Sequence, residues 1–268
     1  MAFFDCHFFS ETLALSVSAY VLVPQPTVLQ IGMSGGAKGG APFGGFSTLT
    51  LLHGLSDDHT IWMRRTSIER YAAAKNLAVV MPAVGRSFYQ DMASGARYWS
   101  FISEELPTLM RTFFPLSPAR ESNFVAGLSM GGYGALRLAL SAPERYAAAA
   151  SLSGALDVVR VCRESGRTGS RMGSEEVDAI FGPERHVEGE NADLKALARR
   201  VAEGNIPRPK LYLSCGTEDG LLGENRAFRQ HLQGLSYEHT YREAAGGHEW
   251  EFWDAEMRRV LEWLPLAT

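Results

Sequence analysis

The sequence predicts an α/β fold with a mostly parallel central sheet and helices on both of its faces. From residue 47 onward, short apolar runs of strand type alternate with longer runs whose apolar residues recur at helical spacing. Such alternation is typical of a parallel sheet that is covered on both sides. Neither a linker nor an internal repeat interrupts the 268 residues, so we expect one domain over residues 1–268.

The individual elements follow from the apolar pattern in chain order. The two N-terminal strands are expected to be antiparallel, and Pro24 and Pro26 end the second of them. The predicted strands are Phe3–Ser10, Leu13–Val23, Ser47–Leu52, Leu77–Pro82, Asn123–Ala126, Ala147–Leu152, Leu211–Ser214 and Tyr237–Tyr241. The predicted helices are Thr66–Asn76, Tyr98–Phe114, Tyr133–Leu140, Glu224–Leu232 and Glu249–Trp263.

Two stretches do not follow this alternation. Residues 30–45 are rich in glycine and resemble a phosphate loop only superficially, because Lys38 is followed by Gly39 rather than by Ser or Thr. We expect a flexible connection between strands there. Residues 154–207 are polar, too long for a simple connection, and weakly helical at 174–180 and 193–202. We expect them to form a small cap-like insertion over the sheet.

Charge and cysteine usage exclude several classes of protein. A net charge of −4 gives no electrostatic basis for binding nucleic acid or an anionic membrane. Cys6, Cys162 and Cys215 are odd in number and widely spaced, so they indicate neither a disulfide framework nor a zinc site. The first residues also lack the basic segment of a signal peptide. We expect a cytoplasmic protein whose partner is a small molecule, and association into a homo-oligomer stays open.

The run Val125–Gly134 carries the most informative motif of the chain. Gly127 and Gly131 flank Ser129 two residues before and after it, an apolar strand precedes the run, and a helix pattern follows. This is the context of the G-x-S-x-G turn, in which a strained backbone exposes a nucleophilic serine. The alternative is a glycine-rich strand-to-helix turn with an incidental serine.

A serine hydroxyl needs an adjacent base, and the base needs an orienting acid. In this fold the acid and then the histidine follow the serine along the chain. Of the seven histidines, His248 fits best, since it follows Gly246 and Gly247 in a loop after the last strand. Asp219, in the loop after the preceding strand, is the predicted acid, with Glu218 as the alternative.

The oxyanion that develops during attack on an ester carbonyl needs N–H donors. Met130, directly after the serine, supplies one predicted donor. Leu55 supplies the second, because His53 and Gly54 end a buried strand and Gly54 permits a close backbone approach. An ordinary strand-ending turn is the alternative. Tyr89 and Trp250 stand next to predicted loops, so we predict that they line the substrate pocket.

Several stretches resemble the esterase D family of α/β-hydrolases, and most of all its tributyrin esterase or acetyl esterase branch. They are Leu51–Asp58, Ser87–Met92, Tyr98–Trp99, Glu104–Pro107, Gly127–Leu136 and His248–Trp250, and they extend over almost the whole chain. The resemblance implies an α/β-hydrolase fold and hydrolysis of short-chain acyl esters without a metal or organic cofactor. It implies Ser129, Asp219 and His248 as the triad, and Leu55 and Met130 as the oxyanion donors.

The resulting hypothesis is a serine carboxylesterase that works through an acyl-enzyme intermediate. S-formylglutathione hydrolases, carbohydrate deacetylases and acyltransferases are related alternatives. Formylglutathione enzymes usually carry His where this chain has Tyr133, and this departure favours the simple esterases. A non-catalytic binding module on the same scaffold is the alternative from another class, and the complete triad argues against it.

Overall fold

The computed structural model describes residues 1–27, 29, 31, 42–167 and 171–266. Its strands are β1 (Ala2–Ser10), β2 (Leu15–Val23), β3 (Thr48–Leu52), β4 (Ala78–Pro82), β5 (Asn123–Leu128), β6 (Ala148–Leu152), β7 (Lys210–Gly216) and β8 (His239–Ala244). They form one sheet in the order β1-β2-β4-β3-β5-β6-β7-β8. β1 with β2 and β2 with β4 are antiparallel, and all other neighbours are parallel. The predicted mostly parallel sheet is confirmed.

Helices cover both faces of this sheet. They are α1 (Ile61–Arg65), α2 (Ile68–Ala73), α3 (Tyr98–Ser100), α4 (Leu106–Phe113), α5 (Met130–Ser141), α6 (Val158–Glu164), α7 (Ser174–Phe181), α8 (Leu194–Glu203), α9 (Leu222–Gly234) and α10 (Trp250–Trp263). Val79 of β4 packs in one apolar cluster with Trp62 and Met257, whereas Val80 packs in the other with Leu136. Successive strand residues point to opposite faces, so both faces are buried, as the continuous apolar runs predict.

Three parallel strands extend farther at their carboxyl ends than the apolar pattern predicts, and one of them is β8, which ends at Ala244 rather than at Tyr241. β5 continues past Ala126 to Leu128, and β7 continues past Ser214 to Gly216. Glycine has a weak strand propensity, so the pattern stops short. β5 nevertheless stays paired with β6 through Leu128, and β7 stays paired with β8 through Gly216. The loops that follow both strands therefore start at the same edge of the sheet.

The predicted helix Tyr98–Phe114 is present but contains a π-helical turn. α3 leads into this turn, which spans Phe101–Glu105 and continues directly into α4. Leu106 donates its N–H to the carbonyl of Phe101, five residues earlier. Pro107 follows, and a proline has no N–H and clashes with the carbonyl four residues before it in a regular helix. A single wide turn next to the proline is therefore physically reasonable.

Glu105, at the end of the π-helical turn, holds the connection between β1 and β2. Its carboxylate accepts hydrogen bonds from the Ser10 hydroxyl at 2.5 Å, from the Glu11 N–H at 2.8 Å and from the Thr12 N–H at 3.3 Å. Burial raises the pKa of Glu105, but these hydrogen bonds outweigh burial and lower the pKa below its ordinary value. The helix thereby anchors the antiparallel part of the sheet.

The described residues of the segment between β6 and β7 form three helices, α6, α7 and α8. The weakly helical patches at 174–180 and 193–202 correspond to α7 and α8. The sequence pattern does not predict α6, although Asp157 is a local signal for it, since its carboxylate caps the helix by accepting the N–H of Arg160 at 2.9 Å. α8 packs against α5, so the segment rests on the helix that follows Ser129.

The glycine-rich stretch 30–45 lies mostly outside the described residues. Its role as a flexible connection therefore stays a prediction. Within the described ranges, no helix is both long and apolar enough to cross a membrane.

Replacing Glu105 with alanine should lower the free energy of unfolding by about 1–3 kcal/mol, because the buried Ser10 hydroxyl and the N–H groups of Glu11 and Thr12 lose their acceptor. The matched variant Glu104→Ala removes a neighbouring carboxylate that pairs with Arg145 at the surface, and it should cost less than about 1 kcal/mol. Urea unfolding followed by circular dichroism at pH 7 measures both losses. Equal losses in the two variants would contradict the anchoring role of Glu105.

Candidate active site

Ser129 lies at a strained turn between β5 and α5. Its backbone has φ 55° and ψ −119°, a region that residues with a Cβ rarely occupy. Its N–H donates to the carbonyl of Leu152 at 2.9 Å, and its own carbonyl accepts the N–H groups of Ala155 and Tyr133 at 3.0 and 3.1 Å. These bonds fix the strained conformation, and the Ser129 side chain lines a cavity.

The two glycines of the motif are there for steric reasons. A Cβ on Gly131 would lie 2.5 Å from the carbonyl oxygen of Leu52 and 2.6 Å from that of His53. A Cβ on Gly127 would collide with the carbonyl oxygen of Gly131. Only glycine allows β3, β5 and α5 to approach each other this closely.

The structure brings the three predicted triad residues together. Nε2 of His248 is 3.0 Å from Oγ of Ser129, and Nδ1 of His248 is 2.9 Å from Oδ2 of Asp219. The three side chains come from the loops after β5, β7 and β8. The serine, the predicted base and the predicted acid thus form one hydrogen-bonded row, although they are far apart in the sequence.

The charge state of Asp219 determines the tautomer of His248. Asp219 is buried, and burial raises its pKa, but hydrogen bonds from His248 and from the N–H of Leu221 outweigh burial and hold the pKa below its ordinary value. An ionised carboxylate only accepts hydrogen bonds. Nδ1 of His248 therefore donates to Asp219, and Nε2 is left to accept the hydroxyl proton of Ser129.

Glu218, the alternative acid, lies on the surface and makes different contacts. Its carboxylate accepts the N–H of Gly246 at 2.6 Å and the hydroxyl of Thr217 at 2.8 Å. These hydrogen bonds lower the pKa of Glu218 below its ordinary value. Glu218 therefore connects the loop after β7 to the loop that carries His248.

A row of aromatic rings supports the imidazole of His248. The ring of Trp253 meets the imidazole edge to face with 4.8 Å between the centroids. Trp250 packs against Trp253 at 5.2 Å and against Trp62 at 5.3 Å. Trp62 is anchored in turn, since its Nε1 donates to the carbonyl of Leu52 at 3.0 Å. The row links the start of α10 to the end of β3.

His53 orients the peptide group between Gly54 and Leu55. The sequence indicates this residue only as part of the end of a strand. Its Nε2 accepts the N–H of Val84 at 3.1 Å, so Nδ1 carries the proton and donates to the carbonyl of Gly54 at 2.7 Å. Burial lowers the pKa of His53 to about 4, which keeps the ring neutral at pH 7. Because the N–H and the carbonyl of a trans peptide point in opposite directions, the N–H of Leu55 is directed away from His53.

The predicted oxyanion donors lie at the same cavity as the serine. Leu55, Met130, Ser129 and His248 all line it, and its volume is about 690 Å³. Met130 is the first residue of α5, and the first amides of a helix have no acceptor within the helix. Within the described part of the chain, no three His, Cys, Asp or Glu side chains are grouped to hold a metal ion.

Of the two residues predicted to line the pocket, the structure places one at the cavity and the other in the core. Trp250 lines the cavity, but Tyr89 is fully buried and its hydroxyl donates to the carbonyl of His53 at 2.9 Å. Phe88, the residue before Tyr89, lines the cavity instead. Phe88 and Tyr89 have φ values of 50° and 53°, so this segment is not a regular strand. An alternating pattern therefore cannot show which of the two side chains faces the cavity.

Tyr133 is fully buried and does not contact the cavity. Its hydroxyl accepts a hydrogen bond from Nε2 of Gln90 at 2.9 Å and donates one to the carbonyl of Ala192 at 2.8 Å. Tyr133 therefore joins the body of the protein to the segment between β6 and β7. The residue at position 133 therefore affects how this segment is attached to the rest of the protein, and it does not line the cavity.

That segment also supplies cavity-lining residues that the sequence does not reveal. They are Ala155, Arg160, Val161, Glu164, Arg167, Arg171 and Met172. The stretch is polar and lacks periodicity, so no pattern shows which side chains turn toward the serine. Its three arginines place positive charge at the cavity.

Comparison with known proteins shows the family of this chain. The model of the family described as "Putative esterase" matches residues 40–264. An acetyl esterase of Caldicellulosiruptor saccharolyticus is 32% identical over 219 residues, which are 81% of this chain and 82% of the relative. The substrate-bound structure of FphF, a fluorophosphonate-binding serine hydrolase of Staphylococcus aureus, is 32% identical, covers 98% of both chains and has a TM-score of 0.85. An S-formylglutathione hydrolase of the same species is 31% identical over 98% of both chains, with a TM-score of 0.83.

The fold and these relatives define a serine hydrolase with the α/β-hydrolase fold. The chain belongs to the esterase family that the model describes, and it acts on ester bonds. The resemblance of its sequence to the esterase D family is confirmed.

The burial of His53 predicts a loss of stability on acidification. The unfolded chain binds a proton at this histidine below about pH 6.5, whereas the folded protein does not until about pH 4. The free energy of unfolding should therefore fall as the pH decreases between these values, by about 2 kcal/mol at pH 5 from this group alone. Urea unfolding of the parent and of His53→Gln at pH 7 and pH 5 isolates the effect. The same pH dependence in both proteins would contradict it.

Proposed function

We propose that Ser129, His248 and Asp219 are the catalytic triad of a carboxylesterase that hydrolyses short-chain acyl esters through an acyl-enzyme intermediate. The observation that carries this proposal is the hydrogen-bonded row from Ser129 Oγ to His248 Nε2, and from His248 Nδ1 to Asp219 Oδ2, at 3.0 and 2.9 Å. The row ends at a serine that a strained turn holds at the cavity. A geometry of this kind activates a hydroxyl that is otherwise a weak nucleophile.

In the first step, Oγ of Ser129 attacks the carbonyl carbon of the ester while Nε2 of His248 takes the hydroxyl proton. The electron pair of the carbonyl bond moves onto the oxygen, and the imidazolium that forms is stabilised by the Asp219 carboxylate. When the tetrahedral intermediate collapses, the bond to the leaving oxygen breaks. His248 gives its proton to that oxygen, and the acyl group stays on Ser129.

The N–H groups of Leu55 and Met130 stabilise the oxyanion in this proposal. His53 supports the first donor, because its hydrogen bond fixes the peptide group between Gly54 and Leu55. The position of Met130 at the start of α5 supports the second donor, and the positive end of the helix dipole adds to it. Loss of one such donor typically costs about 3 kcal/mol of transition-state stabilisation.

Deacylation reverses the roles of the same groups. A water molecule takes the place of the departed alcohol, His248 accepts one of its protons, and the hydroxide attacks the acyl carbon. Collapse of the second tetrahedral intermediate breaks the bond to Oγ, returns the proton to Ser129 and releases the carboxylic acid. The name of the acetyl esterase relative supports a short acyl group.

The segment 154–207 acts as a cap in this proposal, within one domain of 268 residues. Its residues Ala155, Val161 and Met172 line the cavity, and α8 rests on α5. The three cysteines are unpaired, which supports a reducing compartment such as the cytoplasm. A small diffusible ester is the expected partner there.

Ser129→Ala should lower kcat on p-nitrophenyl acetate by at least about 10⁴-fold, because the nucleophile is lost while the cavity stays intact. A steady-state assay measures the loss, and labelling with a fluorophosphonate probe followed by peptide mapping identifies the reacting serine. The circular dichroism spectrum serves as the control for folding. Parent-like turnover in Ser129→Ala would rule out the proposed mechanism.

Asp219→Asn should lower kcat by about 10³- to 10⁴-fold, because an amide no longer selects the tautomer of His248 that activates the serine. Glu218→Gln is the matched control, since its amide oxygen can still accept the N–H of Gly246, and it should change kcat by less than about threefold. The same p-nitrophenyl acetate assay compares the two variants. A larger loss in Glu218→Gln than in Asp219→Asn would assign the acid to Glu218.

A further inference from the structure

Two arginines at the cavity have no acidic partner among the residues that the structure describes. Arg160 is neutralised, since its guanidinium lies 3.3 Å from Glu164 and 3.3 Å from Glu224. Arg167 and Arg171 also line the cavity. Among the described residues, no carboxylate side chain lies within ion-pair distance of either of them.

Backbone hydrogen bonds hold the residues next to these two arginines. The N–H of Gly166, directly before Arg167, donates to the carbonyl of Met172, directly after Arg171, at 3.2 Å. The N–H of Arg167 donates to the carbonyl of Glu164 at 3.3 Å, directly after α6. The carbonyl of Arg171 accepts a hydrogen bond from the guanidinium of Arg86 at 3.3 Å. Arg86 is itself held by Glu176 of α7.

The other charged groups of the cavity do not cancel this pair. Asp219 is bound to His248, and Glu164 is bound to Arg160. The carboxylate of Asp57 lies next to Gly54, near the proposed oxyanion donors and not on either arginine. Arg167 and Arg171 are exposed, whereas Phe88 and Met130 are buried. The opening of the cavity is therefore cationic.

We propose that Arg167 and Arg171 bind an anionic group, a carboxylate or a phosphate, on the leaving group of the substrate. This inference rests on the proposed function of the same site. The acyl group stays on Ser129 after the first step, so the leaving alcohol or thiol is the part that departs through the opening. Two guanidinium groups that line one cavity, and that have no carboxylate partner among the described residues, match the oxygens of a carboxylate or phosphate. The natural substrate is then a short acyl ester or thioester with an acidic leaving group.

The test compares acetyl esters that differ in one group on the leaving phenol. 4-Acetoxybenzoate carries a carboxylate, 4-acetoxyphenyl phosphate carries a phosphate, and 4-acetoxybenzamide is the neutral analogue. In the double variant Arg167→Gln/Arg171→Gln, kcat/KM for at least one anionic ester should fall about tenfold at low salt, relative to the parent. The value for the neutral amide should change less than about twofold. The ester that responds more identifies the anion.

The control variant Arg163→Gln/Arg199→Gln removes two exposed arginines that do not line this cavity, and so it changes the net charge equally. It should leave the ratio of anionic to neutral kcat/KM unchanged. Raising the salt concentration to 0.5 M should reduce that ratio in the parent and not in the cavity variant. An unchanged ratio in the cavity variant, or an equal fall in the control, overturns the proposal. Neither result affects the proposed esterase function. That function fails only if Ser129→Ala keeps its activity on the neutral ester 4-acetoxybenzamide.

Discussion

The close approach of β3, β5 and α5 is the constraint on which the site depends. Gly127 and Gly131 leave out the side chains that would force these elements apart. Ser129 is thereby held in a backbone conformation that costs about 1–3 kcal/mol in isolation. Hydrogen bonds to Leu152 and Ala155 offset this strain and connect the turn to β6. The conformation of Ser129 therefore depends on the register of the neighbouring parallel strands, because that register aligns the groups that bind the turn.

The same edge of the sheet gathers the other groups. In a parallel sheet the carboxyl ends of the strands lie together, and a ligand site forms beyond them. The loops after β3, β7 and β8 carry Leu55, Asp219 and His248. Glu218 joins two of these loops, and Trp253 supports the imidazole ring. The polar groups are therefore positioned before any substrate arrives, and this lowers the cost of reorganisation during the reaction.

Residues whose conformation depends on their immediate neighbours in the chain can be assigned from the sequence. The glycines around Ser129 are visible because a turn that tight excludes any Cβ, and the order of acid and histidine follows the order of the strands. Tyr89 shows the limit of this reasoning. An aromatic residue beside a predicted loop can face a cavity or the core, and two consecutive positive φ values turn Phe88 to the cavity and Tyr89 to the core.

The sequence by itself determined the strands and most of the helices, the strained serine turn, and the candidate acid and base, because these depend on short-range sterics and apolar periodicity. Only the tertiary structure decided that Asp219 rather than Glu218 contacts His248, and that His53 directs the peptide before Leu55. It also decided which residues of the insertion line the cavity, among them Arg167 and Arg171. These outcomes depend on distances between segments far apart in the chain, and no local pattern records such distances.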